Sequence, residues 1–190
     1  MAPLRVLSIS CLAAGQGQLM KAKPIIAGFL SYVHADDEYD NGRISRLRQR
    51  LELAIRVHSG FREFTVFQDR EGIGWGQRWQ KVIAESIDHS VVLFPVVTPL
   101  YFSSASCREE ILAFEKRQTK LERDDLILPI YYLFSEMMDD LDGVSTDETK
   151  VAELLKRIQF EDWRAFRQTE ETDPAYVQAI ERLAQRAFQL

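Results

Sequence analysis

The feature that most limits what this chain can fold into is the alternation, from Lys23 onward, of short apolar runs with stretches of helical periodicity. Pro24 to Tyr32 has the length and content of a strand buried on both faces of a parallel sheet. His34-Ala35-Asp36-Asp37-Glu38 reads as an acidic loop, after which Ile44, Leu47, Leu51, Ala54 and Ile55 recur at helical spacing until Ser59-Gly60 supplies a stop. Phe64 to Phe67 is a second strand, Gln68 to Gly76 a loop, and Trp79, Val82, Ile83 and Ile87 the inward face of a second helix. Ser90 to Val97 is a third strand and Leu126 to Tyr132 a fourth, which Pro129 predicts to be near an edge or bulged. Further on, Val151, Leu154, Leu155 and Ile158 suggest a helix, and Phe160 to Arg164 a short segment that buries Trp163. Asp173-Pro174 is the cap and first turn of a last helix, with Val177, Ile180, Leu183 and Ala187 inward. The alternation predicts an α/β three-layer sandwich. Right-handed crossovers make it a doubly wound sheet with a ligand crevice at the strand C-termini.

Within that pattern, Tyr101 to Phe114 puts a carboxylate beside the core. Ser106 and Glu109 have the spacing of a capping box, so a helix is expected to start there. On a wheel of about 100° per residue, Ile111 lies about +40° and Phe114 about −20° from Cys107, which defines the packed face. Glu110 lies about −60° away and borders that face, while Glu109 lies about 200° away and is solvated.

Composition narrows the function classes. A chain of 190 residues, 46% hydrophobic and 28% charged, can bury one sizeable core, so residues 23–190 are read as a single domain preceded by a flexible extension over residues 1–22. A net charge of −5 gives no reason to expect nucleic acid or an anionic membrane surface. No apolar run approaches the ~20 residues of a membrane span. Cys11 and Cys107 are too few for a disulfide framework or a structural zinc site, and a reducing, cytoplasmic compartment fits best.

Rival chemistries lack their residues. Gly72-Ile73-Gly74-Trp75-Gly76-Gln77 follows the second strand and has the wrong spacing for a dinucleotide fingerprint. Neither Gly-Lys-Ser nor Gly-Lys-Thr occurs, which removes a Walker loop, and the third strand ends in Val-Val-Thr rather than a phosphoacceptor aspartate. In Asp139-Asp140-Leu141-Asp142-Gly143 a calcium loop would take Met138 and Thr149 as its first and twelfth ligands, so no metal site is expected. Cys107 at a helix start could be a reactive thiol, but its place at the centre of the packed face makes it a core residue.

The same residues carry a family resemblance. Phe29-Leu30-Ser31-Tyr32, the run from Phe67 to Ile73 with Gly76, Ser90 to Leu93 leading to Thr98-Pro99, Ser103 to Glu110 with its Cys-x-x-Glu, Leu128-Pro129-Ile130 and Asp162-Trp163-Arg164 together resemble a Toll/interleukin-1 receptor (TIR) domain, most like the bacterial branch. The resemblance covers roughly residues 25 to 165 in family order. It implies a flavodoxin-like sheet of five parallel strands. It also implies that Asp69, Arg70, Glu71, Gly72, Ile73, Gly74, Trp75 and Gly76 form a loop that contacts neighbouring domains.

In enzymatic members, a glutamate at the Cys-x-x-Glu position supports cleavage of the nicotinamide–ribose bond of NAD, and here that position is Glu110. Breaking an N-glycosidic bond builds an oxocarbenium-like cation, which a fixed carboxylate at low dielectric stabilises. The resemblance thus implies NAD as substrate, with no further cofactor. Around Glu110, Tyr32 and Trp75 are expected as aromatic surfaces for a ring of NAD, and Ser31 and Asp69 as polar rim groups. Two departures bear on the pocket: Ser106 replaces an aromatic often found before the cysteine, and Val33 replaces a residue that is basic in some enzymatic members. The alternative is a non-catalytic adaptor that assembles with other TIR domains, its glutamate satisfied locally.

Overall fold

The computed structural model describes residues 27–60, 62, 64–68, 91–139 and 146–189. The extension over residues 1–22, the loop Asp69 to Gly76, the helix with Trp79 to Ile87, and Asp140 to Gly143 of the acidic segment lie outside the described residues. The strands are β1 (Ala27–Ser31), β2 (Thr65–Gln68), β3 (Val91–Val97), β4 (Ile130–Tyr131) and β5 (Glu161–Asp162). They form one sheet in the order β2-β1-β3-β4-β5, with every pairing parallel. This is the flavodoxin-like order, whose direction of winding reverses between β1 and β3. The described helices are α1 (His34–Tyr39), α2 (Arg43–Ser59), α3 (Pro99–Ser103), α4 (Ala105–Leu121), α5 (Asp147–Arg157) and α6 (Pro174–Phe188).

Strand alternation divides the core in two. Leu30, Val92, Phe94, Val96, Leu128, Ile130 and Tyr132 point to one face, where they pack with α2 and α6. Phe29, Leu93, Val97, Ile127 and Tyr131 point to the other, against α3, α4 and α5. The helix stops follow backbone chemistry: Gly60 ends α2 with φ +68°, and the Asp173 carboxylate caps α6 through the Ala175 amide with Pro174 in the first turn. On α6 Ile180, Leu183 and Ala187 are buried as expected, whereas Val177 is half-buried and Tyr176 takes the inner place, stacked edge-on against Trp163.

One expectation is corrected. The acidic segment after β1 is not a loop but the helix α1, with Asp36 buried beneath it and Asp40 buried at its end. Pro129 does mark a strand near an edge, since β4 is next to the edge strand β5, and the register from Leu93–Ile127 to Val96–Ile130 inserts no residue, so there is no bulge. An amide at position 129 would reach the Gln159 carbonyl, before β5 begins, and that carbonyl instead accepts from Arg186 Nη2 at 2.7 Å. The pairing of β3 with the segment around β4 is interrupted at Pro95, whose missing amide falls between the bonds of Leu93 with Leu126 and Leu128 and those that the Val97 carbonyl accepts from Tyr132 and Leu133.

Among the described residues no helix is long and apolar enough to cross a membrane, and no group of His, Cys, Asp and Glu could hold a metal ion.

Candidate active site

Ser31 is the last residue of β1 and continues the face that carries Phe29, so its side chain points at α3 and α4. There its hydroxyl donates to Glu110 Oε2 at 2.5 Å, and its oxygen lies 3.1 Å from the Tyr101 hydroxyl. The Tyr101 phenol also reaches the Cys107 carbonyl at 3.4 Å. Ser31, Tyr101 and Cys107 are buried, whereas Glu110 is half-exposed. The wheel reading therefore holds: Cys107, Ile111 and Phe114 form the buried face of α4, Glu109 is exposed and Glu110 lies on the border.

The start of α4 differs from expectation. Ser104, not Ser106, is the cap, its hydroxyl accepting from the Cys107 amide at 3.4 Å, while the hydroxyl of exposed Ser106 lies 3.1 Å from that of Ser104. The helix thus begins two residues earlier than the Ser106 cap required. Glu110 falls in its second turn, beyond the reach of a first-turn capping role.

Tyr101 is itself fixed at both ends. Thr98, at the end of β3, accepts the Tyr101 amide at 3.2 Å and donates its own hydrogen to Asp36 Oδ2 at 2.7 Å. Burial raises the Asp36 carboxyl above its ordinary value, partly offset by the Thr98 bond, and the nearby Asp40 charge adds to the rise. Asp40 is pulled the other way by Arg167. Burial also pushes the Tyr101 phenol well above its ordinary value, and the Cys107 thiol to about 11, with the Glu110 carboxylate adding to both. Burial thus favours the protonated thiol near neutral pH, which makes it a poor nucleophile.

A cleft of about 290 Å³ opens beside Glu110. Its walls come from the β1–α1 junction, with Tyr32, Val33, His34 and Ala35, and from the start of α4, with Ser104 and Ser106. It lies beyond the carboxyl ends of β1 and β3, at the reversal of strand order where open α/β sheets bind ligands. The Tyr32 and His34 rings meet edge-to-face with centroids 5.2 Å apart. The Tyr32 hydroxyl is bonded by Gln68 Nε2 from the end of β2, and the same amide group donates to Ser45 at 2.8 Å.

A family model described as the TIR domain matches residues 29–175. The chain belongs to the TIR domain family. No curated protein matches it.

Of the expected site residues of this TIR domain, the structure brings together Ser31, Tyr32 and Glu110. Asp69 and Trp75, with the rest of the partner loop Arg70 to Gly76, lie outside the described residues. Tyr101 was missed as a site residue. The available signal was the period-two alternation that aims Ser31 at the layer containing Thr98-Pro99 and the residues after it, but the phenol's contact with Ser31 spans 70 positions.

Proposed function

We propose that this TIR domain cleaves the nicotinamide–ribose bond of NAD, as a glycohydrolase or an ADP-ribose cyclase switched on by self-assembly, and that it acts in the cytoplasm as a bacterial immune effector. The observation that carries the reading is the Glu110 carboxylate, held by Ser31 at the edge of a cleft at the switch point of the sheet.

The chemistry follows from that placement. As the glycosidic bond lengthens, its electron pair leaves with the nicotinamide nitrogen, which becomes neutral, and positive charge builds on the ribose. A carboxylate fixed beside the ribose stabilises that charge directly or through the ribose hydroxyls. Attack by water then gives ADP-ribose and a proton; attack by a ring nitrogen of the same molecule's adenine gives the cyclic product. Tyr32 offers a ring at the cleft wall, and His34 stands beside it. Small-molecule clefts commonly measure about 300 to 1,000 Å³. One near the lower end suits one half of a dinucleotide, leaving the other half to Asp69 to Gly76 or to a neighbouring copy, which accords with activation by assembly.

The deciding assay measures nicotinamide release from NAD by the protein at high concentration or in an enforced oligomer. Wild type releases nicotinamide, and Glu110→Gln abolishes release with an unchanged circular-dichroism spectrum. Undiminished release by the folded variant would sink the assignment. The competing adaptor reading takes the Ser31–Glu110 bond as purely local satisfaction, and predicts assembly without nicotinamide release by any variant.

A further inference from the structure

We propose that Tyr101 is a positioning residue for Glu110, acting through the Ser31 hydroxyl; the inference rests on the functional reading above and goes beyond it. Ser31 has one hydroxyl hydrogen, and the 2.5 Å contact assigns it to Glu110 Oε2. The 3.1 Å contact between Ser31 and Tyr101 must then be made with the tyrosine as donor. The alternative acceptor for that phenolic hydrogen, the Cys107 carbonyl, is farther away at 3.4 Å. The result is a directional chain, Tyr101 to Ser31 to Glu110, in which each donor polarises the next.

The geometry gives the chain its purpose. A carboxylate on a half-exposed helix face has free rotation about its side-chain bonds, and a stabilising charge must be held in one place to act on a transition state. Ser31 supplies the contact but is a small side chain with a rotatable hydroxyl. Tyr101 narrows that freedom: its ring is completely buried, its amide is tied to Thr98, and its hydroxyl, by donating to Ser31 Oγ, leaves the serine hydrogen for Glu110 or the neighbouring Cys107 sulfur, of which the carboxylate is the stronger acceptor. Tyr101 is fully buried and is not among the residues that line the cleft. Among the described residues, titratable groups near the carboxylate include the Cys107 thiol, held protonated by burial, and Tyr32 and His34 across the cleft; Glu109 lies on the far side of α4.

The test uses Tyr101→Phe, Ser31→Ala and the double variant, in protein carrying ¹³C at the glutamate side-chain carboxyl, with Glu110→Gln assigning the Glu110 signal. Hydrogen bonds donated to a carboxylate favour its ionised form, so losing them raises the pH at which it titrates. Ser31→Ala is expected to raise the Glu110 midpoint by about one pH unit and Tyr101→Phe by about half a unit, because the phenol acts at one remove. In the Ser31→Ala background, Tyr101→Phe should add nothing. An unchanged Glu110 midpoint in folded Tyr101→Phe, or a Tyr101→Phe shift that survives in full without Ser31, overturns the proposal. Ser31→Thr reads the chain from its other end: a wild-type midpoint with threonine and a raised one with alanine supports it, and a wild-type midpoint with alanine overturns it. In the assembled enzyme, Tyr101→Phe should lower kcat about three-fold near the acid limb with KM unchanged, half a unit being a factor of about three. The titration needs no NAD. A wild type that releases no nicotinamide therefore refutes the functional reading alone, and the carboxylate midpoints still decide the relay.

Discussion

Arg167 holds Asp40 through both carboxylate oxygens, Nε to Oδ2 at 2.6 Å and Nη2 to Oδ1 at 2.8 Å, across 127 positions of sequence. Tyr132 donates to the same Oδ2 at 2.7 Å. The three residues tie the end of α1, and with it one wall of the cleft, to the end of β4 and the segment after β5. Both charged side chains are largely buried, so removing one partner strands the other. Asp40→Asn or Arg167→Ala should therefore destabilise the fold by about 2 to 4 kcal/mol at pH 7, read from urea unfolding. The bond to Arg167, ahead of that from Tyr132, holds the Asp40 carboxyl below its ordinary range despite burial. A depressed carboxylate adds stability that is fully present above its unfolded value and disappears as pH falls through its folded value. The stability gap between wild type and Asp40→Asn should be flat from pH 5 to 8 and narrow steadily below about pH 4.

Asp36, four residues earlier, has the opposite sign. Burial is the main cause of its raised carboxyl, so the folded state binds its proton more tightly than the unfolded chain does. Its contribution to stability is full below the unfolded value and is lost as pH rises through the folded one. Asp36→Asn keeps an oxygen to accept the Thr98 hydrogen without the buried charge. The variant should be at least as stable as wild type at pH 7, with any gain vanishing in acid, as thermal melts across pH 3 to 7 would show. A variant less stable at pH 7 than at pH 3, relative to wild type, would contradict the account.

These residues also show where sequence reading stopped. Strand and helix periodicity placed the sheet, the core faces and the border position of Glu110, because each depends on residues a few positions apart. The segment His34 to Glu38 reads as a loop because five residues with three acids show no apolar stripe; the contacts that fix α1 and its end, from Thr98 to Asp36 and from Arg167 to Asp40, come from 62 and 127 positions away. The cap of α4 was misplaced by two residues because Ser103, Ser104 and Ser106 offer nearly equivalent hydroxyls, and only the backbone path of α3 selects Ser104. Glu110 lines the cleft as its border position suggests, whereas Ser31 is buried behind it and not on the rim, and the bond between them is a product of the fold.

Gly28 is in β1 where the strand is most crowded. A Cβ at that position would stand 2.8 Å from Phe94 Cε2, 3.2 Å from Val66 Cγ2 and 3.3 Å from Phe64 Cζ. All three neighbours are buried, so none can swing into solvent. Gly28→Ala should cost about 1 to 3 kcal/mol by overpacking, against the modest gain in strand propensity that alanine would bring elsewhere. Pairing it with Phe94→Leu should recover part of the loss, which a urea titration of the double variant can measure.

Cys107 should be chemically silent in the folded protein. Its side chain is 2% exposed and burial raises its thiol to about 11, so both access and thiolate are scarce at pH 8. Iodoacetamide at pH 8 followed by peptide mass mapping should leave Cys107 unmodified in native protein and label it fully in urea. Cys107→Ala should leave nicotinamide release within about two-fold of wild type, since the residue fills space rather than reacting; a loss on the scale of Glu110→Gln in a folded variant would reinstate the thiol as a candidate.

Neighbouring Glu109 and Glu110 offer a control inside one helix. Both residues follow the same cap, carry the same charge and have the same helix propensity, but Glu109 is exposed whereas Glu110 bonds Ser31 and lines the cleft. A general loss of negative charge near the start of α4 would affect the two alike, through the helix dipole, by about 0.3 to 1 kcal/mol. Transition-state stabilisation would not. In the assembled protein, Glu109→Gln should leave the rate of nicotinamide release within about two-fold, while Glu110→Gln should lower it by at least about 100-fold, the scale seen when one fixed electrostatic group is removed from a reacting centre. Glu110→Asp, which keeps the charge but shortens the reach to Ser31, should fall between them. If Glu109→Gln and Glu110→Gln reduced activity equally, the carboxylate would be acting on helix stability or assembly rather than on the glycosidic bond.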